Sequence, residues 1–89
     1  MSRIDPARLL DVAELLAEVR GWDDVEDRGG GTFYLHHKPF LHFHAGRDSR
    51  RADVRSANGW VQIDLPEPAS VVARRRLLAV LRAEHADRG

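Results

Sequence analysis

Four of the five histidines in this chain lie within nine consecutive positions, from residue 36 to residue 44. His42 and His44 are separated by one residue, so in a β-strand both side chains would point to the same side, about 6 to 7 Å apart. Imidazole is a common ligand of transition metals, and it titrates near neutral pH. The spacing therefore indicates a metal site, an acid–base site or the solvated face of a small sheet.

The metal interpretation requires a third ligand beside the histidine pair. Alternation along the preceding strand puts His36 on the same side as the pair, and Asp64 would complete a set of two histidines and one carboxylate. The predicted ligands of a Zn, Ni or non-haem Fe ion are therefore His42, His44, His36 and Asp64. A His-x-His pair is a weak motif by itself, and the main expectation is a site that holds no cofactor.

A second interpretation treats the same strand face as a binding surface. Trp60 would lie on the open side of the sheet, and an exposed tryptophan beside two histidines favours a ligand pocket or a partner surface. The expected ligand-binding residues are Phe40, His42, His44, Trp60 and Gln62. We therefore expect a small binding domain for a small molecule or a protein partner, and the sequence leaves open whether the chain is an enzyme.

A third interpretation is a surface for nucleic acid. Arginines near the aromatic residues would supply positive charge beside stacking rings, and they are Arg47, Arg50, Arg51 and Arg55. Asp48 and Asp53 lie among these arginines, and the formal net charge of the chain is zero. Nucleic acid is therefore the less favoured partner.

Composition limits the kind of protein that carries these residues. The chain has 89 residues, of which 43% are hydrophobic and 31% charged, which is typical of one folded domain. It has no cysteine, which excludes thiolate ligands, a thiol nucleophile and disulfides. No apolar run is long enough to span a bilayer, and the N-terminus lacks the pattern of a signal peptide. We expect a cytoplasmic protein with no membrane partner.

The hydrophobic pattern predicts the elements that position these residues. Asp5 as N-cap and Pro6 at the first helical position begin a helix that Gly21 ends. Residues 22–31 are acidic and glycine-rich and are predicted to form a loop. Period-two segments from Thr32 onward predict four strands, the last two joined at Asn58-Gly59, and residues 71–88 predict a second helix.

The predicted fold is a single α+β domain over residues 1–89: a helix, a four-stranded antiparallel meander and a helix, with both helices on one face of the sheet. On one strand, Leu41, Phe43 and Ala45 would face the core, and Phe40, His42 and His44 would face the open side. The other face of the sheet would remain in contact with solvent.

The run Phe33-x-Leu35-x-x-Lys38-x-Phe40-x-His42-x-His44, followed by Gly59-Trp60-Val61 and a leucine-rich helix, resembles the small luciferase-like domain family of bacteria. The resemblance covers about residues 22–84 and implies that His42, His44 and Trp60 are the matching positions. The family usually has a longer segment where this chain has residues 45–58, and the sequence shows no flavin or luciferin site.

A second resemblance is to the MmcQ/YjbR-like domain, through Lys38-Pro39-Phe40-Leu41 and a later strand that begins with tryptophan. This resemblance implies a similar α+β architecture and DNA binding through the sheet and loops. The two histidines of the open face are not part of that pattern.

Overall fold

The first helical segment begins where the sequence predicts. A computed structural model of the chain describes residues 4–88. Asp5 is the N-cap, and its side chain accepts a hydrogen bond from the N–H of Ala7 at 2.9 Å. A 3₁₀ helix over Pro6–Val12 leads into helix α1, Ala13–Arg20, which ends at Gly21.

The sheet is antiparallel throughout and follows chain order. Its strands are β1 (Val25–Asp27), β2 (Thr32–Leu35), β3 (Lys38–Ala45), β4 (Arg50–Ser56) and β5 (Gly59–Asp64). Each strand pairs with the next, and β4 and β5 form the hairpin predicted at Asn58-Gly59. Helix α2, Val71–Arg88, follows the last strand. The α+β architecture with an antiparallel sheet is thus confirmed.

The strand count differs from the prediction, because β1 lies within the segment expected to be a loop. Val25 is half-buried against the core, while Glu26 and Asp27 are exposed on this short edge strand. Charged side chains are typical of sheet edges, where they discourage pairing with other chains, and here they conceal the strand signal. Gly31, in the turn between β1 and β2, has φ +75°, and a Cβ at this position would collide with the side chain of Ile4.

One hydrophobic cluster joins both helical segments to one side of the sheet. Its most deeply buried members include Val12 and Val19 from the first segment, Phe33 and Ile63 from the sheet, and Leu77 from α2. Ala73 and Val80 of α2 are half-buried against this cluster. The opposite side of the sheet, called here the open face, is not covered by either helix. Among residues 4–88, no helix is both long and apolar enough to cross a membrane.

An irregularity between β2 and β3 corrects the placement of Phe40. Phe33 pairs with Leu41 and Tyr34 pairs with Pro39, so Phe40 is the extra residue of a β-bulge. The extra residue interrupts the alternation, and both Phe40 and Leu41 are fully buried in the core. The prediction that Phe40 belongs to the open face is therefore wrong.

Arg50 is also placed differently from the prediction, because it is a buried residue between the sheet and the first helical segment. Its guanidinium donates to both carboxylate oxygens of Asp11, at 2.8 and 2.7 Å. It also donates to the carbonyl oxygens of Arg8, Leu65 and Pro66, at 2.6, 3.1 and 2.6 Å. These bonds use all five N–H donors of the arginine, so Arg50 is not available to a nucleic acid.

Candidate functional site

Cross-strand pairing arranges the open face in rows that run across the strands. One row, called here the polar row, consists of Thr32, His42, Asp53 and Gln62, which are paired in that order from β2 to β5. The next row, called here the charged row, consists of His44, Arg51 and Asp64. Residues at equivalent positions on neighbouring strands have close side chains. The sheet register therefore brings together residues that are up to 30 positions apart in the chain.

His42 is a buried titratable residue of the polar row. It is 7% exposed, and its Nδ1 lies 2.7 Å from the hydroxyl oxygen of Thr32. Its other ring nitrogen, Nε2, is buried and has no hydrogen-bond partner among the described residues. Burial lowers the pKa of His42, and the nearby His44 lowers it further. The imidazole of His42 is therefore held in its neutral form at neutral pH.

His44 is oriented by a carboxylate that the sequence analysis did not assign to the site. Its Nε2 lies 3.0 Å from Oδ2 of Asp53, and the other oxygen of that carboxylate accepts a hydrogen bond from Nε of Arg51, also at 3.0 Å. Asp53 is 7% exposed, so these two partners compensate its buried charge. The rings of His42 and His44 meet edge to face, with centroids 4.2 Å apart. The two imidazoles thus belong to one connected group of polar side chains.

A cavity of about 290 Å³ lies over this group. Its lining residues are Thr32, Tyr34, Pro39, His42, His44, Asp53, Trp60 and Gln62. Tyr34 and Trp60 come from β2 and β5, on either side of the central strands, and Trp60 is 43% exposed. The site therefore combines aromatic and proline surface with a few polar groups, as small-molecule sites do.

Two arginines lie against the aromatic side chains of the open face. The guanidinium carbon of Arg28 is 4.1 Å from the ring centroid of Tyr34, and that of Arg55 is 5.6 Å from the ring centroid of Trp60. Both distances are within the range of cation–π contacts. These contacts place a guanidinium group beside each ring.

The predicted metal ligands do not come together as one set. His36 lies in the turn after β2 with φ +52°, because the strand ends at Leu35, and its Nε2 is 3.2 Å from the carbonyl oxygen of Arg88. The expectation that His36 shares the face of the pair is therefore wrong. Asp64 lies in the charged row, next to Arg51. Within residues 4–88, no three His, Cys, Asp or Glu side chains form a group that could hold a metal ion.

The four arginines predicted to bind nucleic acid are dispersed. Arg50 is buried, Arg51 bonds to Asp53, and Arg55 lies over Trp60. Arg47 is exposed in the loop between β3 and β4. The structure therefore does not gather these side chains into a shared basic surface.

The other predicted residues of the open face lie where the sequence places them. His42, His44, Trp60 and Gln62 all line the cavity. Thr32, Tyr34, Pro39 and Asp53 also line the cavity and were not predicted as site residues. Tyr34 was readable from alternation in β2, whereas the role of Asp53 depends on the register between β3 and β4, which the polar loop at residues 46–49 does not specify.

Comparison of the chain with protein-family models, with curated proteins and with solved structures finds no match. The resemblances to the luciferase-like and MmcQ/YjbR-like domains stay predictions. The geometry of the open face is therefore the basis for a proposed function.

Proposed function

We propose that this chain is a small-molecule-binding domain and that its ligand occupies the cavity on the open face. The observation that carries the proposal is Nε2 of His42, a buried ring nitrogen in the lining of that cavity that has no hydrogen-bond partner within residues 4–88. A buried polar atom left unpaired costs about 1–3 kcal/mol, so such atoms are uncommon unless something else pairs with them. A ligand that supplies the missing partner recovers this free energy.

The size of the cavity favours a small molecule over a protein partner. A volume of about 290 Å³ is at the lower end of the range for small-molecule sites and suits a compound of one or two rings. Trp60 and Tyr34 offer rigid aromatic surface, which contributes to binding with little loss of side-chain entropy. A protein partner would need a much larger contact area.

A larger groove lies between the first helical segment and α2, and it is the main alternative location for a ligand. Its volume is about 640 Å³, and its walls include Glu14 and Glu18 on one side and Arg74 and Arg75 on the other. Glu18 is already paired with Arg82, with bonds of 2.9 and 3.0 Å. No buried polar side-chain atom lining this groove lacks a partner in the described part of the chain. The open face is therefore the better candidate.

A fragment screen by two-dimensional ¹H–¹⁵N NMR tests the proposal. The chain has two tryptophans, Trp60 in the cavity and Trp22 against His85, and their indole N–H signals serve as site and control in the same spectrum. We expect uncharged ring fragments to shift the Trp60 indole signal and the amide signals of Thr32 and Gln62, while the Trp22 signal stays in place. Shifts confined to the helix groove, or no shifts from the whole collection, would contradict the proposal.

A further inference from the structure

The ligand class follows from three features of the open-face cavity, and the inference rests on the proposed function. The first feature is the hydroxyl of Thr32 at Nδ1 of His42, 2.7 Å away. A hydroxyl both donates and accepts, and a neutral imidazole has one donor and one acceptor nitrogen. When Thr32 donates to Nδ1, Nε2 carries the proton and donates; when Nδ1 donates to Thr32, Nε2 accepts. The Thr32–His42 pair can therefore meet either a carbonyl or an N–H of a ligand.

The second feature is the balance of charge around the cavity. Asp53 is paired with Arg51 and also contacts His44, at 3.0 Å each. Asp64 follows Arg51 in the charged row. An anionic ligand would approach two carboxylates, and a cationic ligand would approach Arg51 and the guanidinium of Arg55 over Trp60. The cavity lining itself contains no arginine or lysine, and its one carboxylate, Asp53, is already paired with Arg51, so the site favours an uncharged ligand.

The third feature is the shape and chemistry of the rim. Tyr34 and Pro39 are paired across β2 and β3, and Trp60 lines the side formed by β5. These side chains offer flat apolar surface to a planar ring. Gln62, which is exposed on β5 beside Asp53, adds an amide with both a donor and an acceptor. The polar groups available to a ligand are thus the Gln62 amide and the Thr32–His42 pair, and each of them can donate or accept a hydrogen bond.

We infer that the cavity binds a neutral planar ring compound with an amide group on or within the ring, and that this amide meets Nε2 of His42. Nε2 of His42 is inaccessible to solvent, and the ring that carries it contacts His44 edge to face. The side chain of His44 is 32% accessible, and a ligand that meets Nε2 of His42 must displace the His44 ring. Binding therefore changes the surroundings of both imidazoles.

Three compounds that share a benzene ring and differ in charge test this inference: benzamide, benzoate and benzylamine, the last as its ammonium form at pH 7. Each is titrated into the full chain, with the Trp60 indole signal as the site and that of Trp22 as the internal control. We expect benzamide to bind at least tenfold more tightly than the two charged compounds. His42→Phe should remove this preference, whereas His85→Phe, a matched change beside Trp22, should leave it unchanged.

The outcomes separate the ligand class from the proposed function. Tighter binding of benzoate or benzylamine at Trp60 would overturn the inference and leave the binding site in place. The inference is also overturned, and the binding site is left in place, if none of the three compounds binds while other fragments shift the Trp60 signal. If His42→Phe does not fold, His42→Gln gives the comparison, and an unchanged preference in a folded His42 variant overturns the role of Nε2. If no compound of any kind perturbs the cavity, both the inference and the proposed function fail.

Discussion

Replacing Arg50 by methionine should destabilise the chain strongly and in a manner that depends on pH. Arg50 is fully buried at its side chain and makes five hydrogen bonds, two of them to Asp11. Methionine has similar length but no donor, so it leaves the Asp11 carboxylate and three carbonyl oxygens without this partner. Breaking a buried ion pair by removal of one partner typically costs about 3–5 kcal/mol. We expect about 3 kcal/mol, since the Asp11 side chain is 22% exposed and regains some hydration.

The pKa of Asp11 gives the part of this cost that belongs to its charge. Hydrogen bonds from Arg50 lower this pKa from 3.8 to about 2. At 1.36 kcal/mol per pKa unit, the lowering corresponds to about 2 kcal/mol of native-state stability. Because the folded value is the lower one, this contribution is complete above pH 3.8 and is lost as the pH falls towards 2. The difference in stability between wild type and Arg50→Met should therefore shrink by about 2 kcal/mol over that range.

Urea denaturation of the two proteins at pH 7 and at pH 2.5 measures this difference. Arg50→Lys is the control that keeps the positive charge but has only three donors, and its loss of stability should be intermediate. If Arg50→Met costs less than about 1 kcal/mol at pH 7, the five bonds do not stabilise the fold as described. If Arg50→Met lowers the free energy of unfolding equally at both pH values, the ion pair with the Asp11 carboxylate is not what Arg50 contributes to stability.

Three further predictions concern the core and the open face. Because burial lowers the pKa of His42, the native state should lose stability as the pH falls below 6.5, by at most about 1.4 kcal/mol per pH unit. Thermal melts should show a smaller pH dependence of stability in His42→Ala. The control His37→Ala, which changes a 90% exposed side chain, should retain the pH dependence of the wild type. Gly31→Ala should lower the free energy of unfolding in urea by about 1–3 kcal/mol, since φ is +75° and the added Cβ would collide with Ile4. The control Gly21→Ala, at φ −82°, should lower it by about 0.5 kcal/mol or less. Trp60→Ala should weaken benzamide binding at least fivefold in an NMR titration and change the free energy of unfolding by less than about 0.5 kcal/mol. The control Trp22→Phe should leave the affinity for benzamide unchanged.

Much of the fold was predictable because local signals and periodicity agree over most of the chain. The cap at Asp5, the Asn58-Gly59 hairpin and the second helix all depend on short-range physical chemistry. The alternation along β3 from His42 to His44 correctly placed both histidines on the side away from the core, together with Trp60. The composition of the open face could therefore be predicted in large part.

The errors come from interactions between distant segments. Phe40 moved to the core because a bulge adds one residue to β3, and a strict period of two cannot show where such an insertion occurs. Arg50 looked like a surface cation, since nothing in its neighbourhood along the chain reveals Asp11, which lies 39 positions away. The partner of His44 is Asp53 because of a strand register that no local motif specifies. Asp53 is thus a site residue that only the tertiary structure reveals.

The NMR signals of the His42 ring nitrogens report directly whether a ligand in the cavity pairs with Nε2. In a long-range ¹H–¹⁵N spectrum of the full chain, Nε2 and Nδ1 of each imidazole give separate signals that respond to hydrogen bonding. When the cavity is saturated with the tightest-binding uncharged fragment, we expect a large shift of the Nε2 signal of His42 and a smaller change at His44, with His85 unaffected. A ligand that saturates the protein and leaves both His42 nitrogens unchanged would contradict the claim that this cavity and its unpaired nitrogen form the binding site.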